Sequence, residues 1–138
     1  DSKDKVRRYI KVPKKVSYYQ YLRNTIIGNS TVMIDRQGII DLRIISGYLE
    51  DSLTWMYYLK TGIIAFGLNE NLMSYRVYKD SKSANKIKNA KRYYQCLHKE
   101  QGLSCFASLF FEVCYLFNAI RKRVFAKKRI VGEIEDGK

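Results

Sequence analysis

Proline, glycine, cysteine and histidine are all scarce in this sequence. One proline and eight scattered glycines leave no stretch that could link two separate domains. The three cysteines, Cys96, Cys105 and Cys114, are odd in number and include no CxxC pair, so we interpret them as reduced thiols in an intracellular protein. The first fifteen residues are mainly charged, and we therefore expect no signal peptide.

The residue patterns that usually accompany catalysis are missing as well. There is one histidine, and there is no glycine-rich phosphate loop and no HExxH motif. Glu50 and Asp51 are adjacent, so on a helix their side chains diverge by about 100° and cannot hold a metal ion together. This disfavours a two-metal polymerase or nuclease, and we expect a protein that is not an enzyme by itself.

Basic residues are what the sequence has in excess. Lys and Arg number 26 against 13 Asp and Glu, a formal charge of +13 on 138 residues. Folding gains nothing from such self-repulsion, so the excess indicates a polyanionic partner, most often a nucleic acid. The alternative is a basic surface that serves solubility alone.

The hydrophobic pattern predicts a mainly α fold. We expect a basic N-terminal arm over residues 1–15 and a single helical domain over residues 16–138, with a possible small β-hairpin around residues 35–38. Glycines are expected to end several helices, and Ser104 is expected to cap the last one. The predicted helices cover residues 16–27, 46–60, 69–78, 83–99 and a long last segment that starts near residue 104.

The last helix is apolar around most of its circumference in its first half. Leu103 to Ile120 is a run of eighteen residues, and Glu112 at its middle argues against a transmembrane span. We therefore predict that this helix is buried at the centre of the core.

The predicted helix over residues 83–99 interleaves cations with aromatic rings. Cations neutralise phosphates while tyrosine rings stack on bases, so this surface is a candidate nucleic-acid site. Alternatively, Tyr93 or Tyr94 packs into the core and the lysines only solvate the outer face. The candidate contacts on this helix are Lys88, Lys91, Arg92, Tyr94 and His98.

Three short motifs resemble the C-terminal domain of the archaeal and eukaryotic primase large subunit. Residues 92–98, RYYQCLH, resemble its Arg-Tyr-Gln-x-x-His segment, with Tyr94, Gln95 and His98 at the matching positions. Ser104-Cys105, followed after eight residues by Cys114, is similar to the spacing of two iron–sulfur ligands. Residues 55–62, WMYYLKTG, resemble the helix that precedes the Tyr-Gln-His segment.

The departures from that family concern its metal cluster. The family's first ligand cysteine would fall near Val16, and no fourth cysteine follows Cys114, so no iron–sulfur cluster or other cofactor is expected to bind directly. Cys105 and Cys114 are then interpreted as small buried hydrophobic residues. Without its cluster the chain resembles the noncatalytic accessory primase subunit, designated X, of some archaea.

The resemblance implies a subunit of a DNA primase complex that binds the initiating nucleotide or the 5′-triphosphate end of the primer. It implies single-stranded DNA or RNA primer, a nucleoside triphosphate and the catalytic and large primase subunits as partners, no membrane partner, and a cytoplasmic, nucleoid-associated location. Two alternatives are a structural protein that coats nucleic acid without sequence preference, and a peripheral membrane protein that uses the apolar last helix and its basic end. The site residues expected under the first hypothesis are Trp55, Lys60, Lys88, Lys91, Arg92, Tyr94 and His98.

Overall fold

The computed structural model describes residues 11–38, 43–46, 49–70, 72–73 and 86–132, and these are mainly helical, as predicted. Two short strands and two 3₁₀ turns accompany the helices, and a π-helical turn directly follows the third helix. The helices are α1 (Tyr18–Arg23), α2 (Glu50–Lys60), α3 (Lys86–Gln95) and α4 (Cys105–Gly132); the strands are β1 (Lys15–Val16) and β2 (Ala65–Phe66); the 3₁₀ turns are Asn29–Thr31 and Arg36–Gly38; the π-helical turn is Cys96–Glu100.

The small sheet lies elsewhere than predicted. β1 pairs antiparallel with β2, with Val16 opposite Ala65, and the backbone N–H of Gly67 extends the pairing to the Lys14 carbonyl at 3.1 Å. A Cβ at position 67 would overlap the Pro13 carbonyl oxygen, so this close approach requires glycine.

The predicted hairpin around residues 35–38 is wrong in its described part. The backbone N–H of Gln37 donates to Oδ1 of Asp35 at 3.0 Å, a side-chain turn that leads into the 3₁₀ turn at Arg36–Gly38. Residues 31–35 and 43–46, the described flanks, form no strand, and residues 39–42 lie outside the described residues.

Helices α1 and α2 begin later than the periodicity predicts. α1 starts at Tyr18 because Val16 pairs in the sheet, and the Ser17 N–H donates to the Gln20 side chain at 2.9 Å. α2 starts at Glu50, and residues 43–46 before it are not helical and are hydrogen-bonded to the side of the helix. The Tyr58 hydroxyl accepts from the Arg43 N–H at 2.6 Å and donates to the Arg43 carbonyl at 2.8 Å.

The predicted helix over residues 83–99 contains two kinds of helical turn in its described part. α3 changes into the π-helical turn at Cys96, and the chain leaves this turn through Gly102, whose φ is +70°. The predicted helix over residues 69–78 lies mostly outside the described residues, and residues 69–70 and 72–73 are not helical.

The core forms where α1, α2, α3 and one face of α4 meet. Tyr93 is buried and donates its hydroxyl hydrogen to the Leu22 carbonyl at 2.6 Å, which confirms the alternative that this tyrosine packs in the core. The buried cluster consists of Val16, Tyr18, Tyr21, Leu22, Leu53, Met56, Leu59, Tyr93, Cys96, Leu97 and Phe111.

Helix α4 begins as predicted, but it is not buried on all sides. The Ser104 side chain accepts the Ala107 N–H at 3.2 Å, which is the expected cap. Ser108 and Phe111 are buried against the core, whereas Phe106 is 87% exposed on the opposite face, because α1 and α3 cover only one side. The prediction of a central buried helix is therefore wrong. Among the described residues no helix combines the length and apolar character that a membrane crossing requires.

The cysteines differ from one another in burial. Cys96 is buried, Cys114 is half-buried and Cys105 is exposed at the start of α4, so the interpretation of Cys105 as a buried hydrophobic residue is wrong. Residues 1–10 of the predicted basic arm lie outside the described residues. The division of the chain at residue 15 stays a prediction.

Candidate functional site

Two carboxylates stand at the beginning of α2. Glu50 and Asp51 occupy its first turn and are exposed, and Asn29 donates a hydrogen bond from Nδ2 to Oδ1 of Asp51 at 2.6 Å. The amino end of a helix carries a partial positive charge that favours carboxylates. The position therefore suits negatively charged side chains that stay open to solvent.

The loop before this site is shaped by short-range hydrogen bonds. The 3₁₀ turn at Asn29–Thr31 is closed by the Thr31 side chain, which donates to the Gly28 carbonyl at 3.2 Å. This turn places the Asn29 amide against the start of α2, 22 residues further along the chain. One oxygen of Asp51 is thereby fixed by a residue from a different segment.

The buried phenol of Tyr21 lies beneath the same site. Burial raises the pKa of Tyr21 above its ordinary value, the negative charge of Asp51 raises this pKa further, and a hydrogen bond with Ser52 acts in the opposite direction. The Asp51 carboxylate thus lies at the boundary between the core and solvent.

The sequence analysis places neither Asp51 nor Asn29 in a candidate site, whereas the structure joins them by a hydrogen bond. Glu50 and Asp51 diverge on the helix, which argues against a shared metal ion but does not bear on either carboxylate alone. A proton acceptor requires a single carboxylate. The available indication was an acidic pair just ahead of an apolar helical run, since this is where carboxylates are stabilised.

The predicted nucleotide site lies at the other end of α2. Lys60 is nine residues after Asp51 on the same helix, which separates their backbones by about 13 Å. The Lys60 ammonium donates to the Gln101 carbonyl at 2.9 Å, and His98 donates from Nδ1 to the Leu103 carbonyl at 2.8 Å. The structure brings these two predicted residues to one turn, and both of them hold that turn in place.

Tyr94 and His98 form a small cluster with Cys105. Their rings are stacked, with centroids 6.0 Å apart, and His98 Nε2 lies 3.9 Å from the Cys105 sulfur. A hydrogen bond with Cys105 is the main cause that raises the pKa of the Tyr94 hydroxyl. The side chains that resemble a primase motif are thus engaged with one another and with the local backbone.

The remaining predicted site residues are spread over two helices. Lys88 and Lys91 are exposed on α3, and Arg92 is half-buried there. Trp55 is half-buried on α2, and its indole Nε1 is buried without an acceptor among the residues that the structure describes. A ligand-binding role for the predicted set stays a prediction.

An open cleft of about 410 Å³ lies beside Lys60. Its walls come from the β1–α1 junction, the end of α2 and the chain after Gly102, and Asp51 does not line it. No group of three or more His, Cys, Asp or Glu side chains in the described part of the chain is placed to hold a metal ion. The expectation of no directly bound cofactor stays a prediction.

Comparison with known proteins gives glycosyltransferases as relatives. The chain is 38% identical over 119 residues, 85% of its length and 47% of the relative's, to the protein of Bacillus subtilis named as the teichuronic acid biosynthesis glycosyltransferase TuaG. It is 31% identical over 114 residues, 83% of its length and 45% of the relative's, to the UDP-Glc:alpha-D-GlcNAc-diphosphoundecaprenol beta-1,3-glucosyltransferase WfaP of Escherichia coli. WfgD of Escherichia coli, named for the same reaction, is 30% identical over 119 residues, 84% of the chain and 46% of the relative.

The chain spans about half the length of the curated relatives it matches. No family model matches the sequence, and no solved structure matches it.

These relatives overturn the primase hypothesis. The expected fold, that of the C-terminal domain in the large subunit of primase, finds no support, and the expected roles in DNA replication and primer synthesis are wrong. The nucleic-acid and primase partners are wrong for the same reason, and neither alternative function is supported. The expectation of a protein that is not an enzyme conflicts with three relatives named as glycosyltransferases.

The physical reason for the error is the shortness of the motifs. Tyr94 and His98 are four residues apart, so their rings are neighbours on the helical surface and stack, and His98 also donates to the Leu103 carbonyl. Such local packing produces a Tyr-Gln-x-x-His spacing without any primase ancestry.

Proposed function

We propose that this chain is part of a glycosyltransferase of polysaccharide biosynthesis. In this proposal the whole protein transfers a sugar from a nucleotide-sugar donor to a lipid-linked acceptor, the substrate classes that the names of WfaP and WfgD give. The observation that supports the proposal most is the 38% identity to TuaG over 119 residues.

The chemistry of glycosyl transfer requires a proton acceptor. An acceptor hydroxyl oxygen forms a bond to the anomeric carbon of the sugar, and the bond from that carbon to the nucleoside diphosphate breaks. The nucleoside diphosphate leaves with the bonding electrons, and the proton of the acceptor hydroxyl passes to a base. Carboxylates commonly serve as this base when sugars are transferred to or from oxygen.

Asp51 is our candidate for that base. It is exposed, so an acceptor hydroxyl can approach it, and its Oδ1 is fixed by Asn29 at 2.6 Å. A fixed carboxylate loses little freedom when it takes up the proton, and this geometric preparation is what makes an acid–base group efficient. Asn29 is then a positioning residue, because its amide acts through Asp51.

Lys60 and the cleft beside it are too far along α2 to share this step. Their place in the proposal is binding: the ammonium of Lys60, now held by the Gln101 carbonyl, lines an open cleft whose remaining walls are largely apolar. The intracellular location predicted from the cysteines also stays part of the proposal.

The test measures transfer of labelled glucose from UDP-glucose to a short-chain GlcNAc-diphospholipid. The assay uses the chain alone and a form of WfaP in which the matched region is replaced by this chain. We expect transfer, and we expect Asp51→Asn to lower its rate about 100-fold or more, as loss of a general base does.

Asp35→Asn is the matched control. It removes an equally exposed carboxylate while keeping the Oδ1 that accepts the Gln37 N–H, so its rate should equal that of the parent protein. A folded chimera without transfer activity would refute the proposed function. Unchanged activity in Asp51→Asn would refute the assignment of the base.

A further inference from the structure

A thiol, an imidazole and a phenol meet where the chain passes from the π-helical turn into α4. Cys105 is the first residue of α4 and is exposed, and its sulfur lies 3.9 Å from Nε2 of His98. The Tyr94 ring stacks on the His98 ring, with 6.0 Å between the ring centres. A thiol within hydrogen-bonding reach of an imidazole is the arrangement that activates a cysteine as a nucleophile, provided that the imidazole can accept the thiol proton.

The Leu103 carbonyl fixes the tautomer of His98. Nδ1 of His98 lies 2.8 Å from this carbonyl oxygen, and a carbonyl oxygen only accepts, so Nδ1 carries the hydrogen. In the neutral imidazole Nε2 then has a lone pair, and the Cys105 thiol is the donor in the contact between sulfur and Nε2. His98 is therefore oriented as a base toward Cys105, and the Leu103 carbonyl is the group that orients it.

Two further features favour a negative charge on the Cys105 sulfur. A hydrogen bond with Cys105 is the main cause that raises the pKa of the Tyr94 hydroxyl, so the phenol keeps its proton and shares it with the sulfur. Cys105 also begins a helix of 28 residues, and the amino end of a helix carries a partial positive charge. The acidic group nearest along α4 is Glu112, seven residues later, and burial raises its pKa and so disfavours its charge.

No second cysteine of the chain is placed to pair with this thiol. Cys96 is buried, and its sulfur lies 3.7 Å from the Met56 sulfur in the core. Cys114 is nine residues further along α4, about 13 Å along the helix axis, whereas a disulfide needs α-carbons within about 7 Å of each other. All three cysteines of the sequence lie among the described residues. A disulfide at Cys105 therefore takes its second sulfur from outside this chain.

The geometry points to Cys105 as a modification site that forms a mixed disulfide with a small disulfide, the oxidised form of a low-molecular-weight thiol. The Cys105 proton passes to Nε2 of His98, and the Cys105 sulfur attacks one sulfur of the small disulfide. A new S–S bond forms there while the original S–S bond breaks. The leaving thiolate takes the bonding electrons and then the proton from His98. The Cys105 sulfur is oxidised and the leaving sulfur is reduced, so the small disulfide is the oxidant.

The test follows mixed-disulfide formation with 2-hydroxyethyl disulfide at pH 7. This reagent is small and uncharged, so the formal charge of +13 does not attract it. Peptide mass spectrometry measures the modified fraction of Cys105 over time, in the folded chain and in the chain unfolded by urea. We expect Cys105 to react about tenfold faster or more in the folded chain, because unfolding separates the thiol from its base.

His98→Asn separates the action of the base from simple exposure of the thiol. The asparagine amide keeps an N–H for the Leu103 carbonyl but takes up no proton at pH 7, so the rate at Cys105 should fall about tenfold or more. Tyr94→Phe keeps the stacked ring, removes the hydroxyl and should lower the rate about threefold. Lys99→Asn is the matched control, because it makes the same change at the adjacent exposed residue, and its rate should equal that of the parent chain. Circular dichroism verifies that the variants are folded.

The same measurement on the WfaP chimera tests the site beside the remaining half of a transferase, and we expect Cys105 to react there as in the chain alone. Three outcomes would overturn the inference: no faster reaction in the folded than in the unfolded chain, an unchanged rate in folded His98→Asn, or a Cys105 that does not react in the folded chimera. The first comparison needs no variant, so it decides even if His98→Asn does not fold. No sugar donor or acceptor is present, so these results are independent of the proposed function.

Discussion

The hydroxyl of Tyr93 joins the two halves of the described core, and its removal is a direct test of the packing. Tyr93 lies on α3 and donates to the Leu22 carbonyl at the end of α1, 71 residues earlier, at 2.6 Å. The centre of its ring lies 4.5 Å from the centre of the Tyr115 ring on α4. Tyr93→Phe keeps the ring and this contact and removes only the hydroxyl.

The loss of stability expected for Tyr93→Phe follows from the buried Leu22 carbonyl, which the substitution leaves without its donor. Tyr93 is only 3% exposed, so water does not readily replace the lost donor, and the Leu22 carbonyl loses a buried partner. An unsatisfied buried acceptor of this kind costs about 1–3 kcal/mol. The variant should therefore unfold at a lower urea concentration with an unchanged dependence on urea, since its exposed surface hardly changes.

Equilibrium unfolding in urea, followed by circular dichroism, measures this difference. Tyr19→Phe is the control, because Tyr19 is 60% exposed and its stability change should stay within about 0.5 kcal/mol. If Tyr93→Phe unfolds at the same urea concentration as the parent chain, the Tyr93–Leu22 hydrogen bond contributes nothing and this account of the core is wrong.

Two further predictions concern ionisation and thiols. Burial raises the pKa of Tyr18 from 10.0 to about 12 and that of Cys96 from 9.0 to about 12, so the folded chain keeps protons that the unfolded chain releases. The stability that these two protonated groups contribute is fully present below about pH 9 and is lost as the pH rises toward 12. The urea concentration at the unfolding midpoint should therefore fall between about pH 8 and pH 11. A midpoint that rises over this range would contradict the raised pKa values of Tyr18 and Cys96. Exposed Cys105 should react first with Ellman's reagent and Cys96 only on unfolding, and a fast phase that survives Cys105→Ser would refute this order.

Local features were predictable from the sequence where the cause is itself local. Gly62 and Gly102 have φ of +96° and +70° just after α2 and after the π-helical turn, and glycine tolerates such values at no steric cost. Ser104 caps α4 because a hydroxyl before an apolar run satisfies a free N–H. These predictions did not depend on the rest of the fold.

Features that depend on distant partners were not predictable in the same way. β1 and β2 each have two residues and lie about fifty residues apart, so neither has a periodicity that can be recognised. The β-branched run near Thr31 predicted strands, but the Asp35 side chain closes a turn there instead. In α4, the apolar pattern identified the helix but could not indicate that the fold covers only one of its sides.

The candidate site also combines a feature that is visible in the sequence with one that depends on a distant segment. The acidic pair at the start of α2 is visible in the sequence, whereas the Asn29 amide that fixes Asp51 comes from a turn 22 residues earlier. The divergence of Glu50 and Asp51 on a helix excludes a shared metal ion, but it does not bear on the single carboxylate that the proposed base requires. Chemical role depends here on a contact between segments.

The net charge of +13 illustrates why composition alone led to the wrong partner. Nucleic acids and anionic bilayers are both polyanions, and an excess of Lys and Arg attracts either one. The formal charge therefore indicates an anionic partner and does not by itself identify which anion it is.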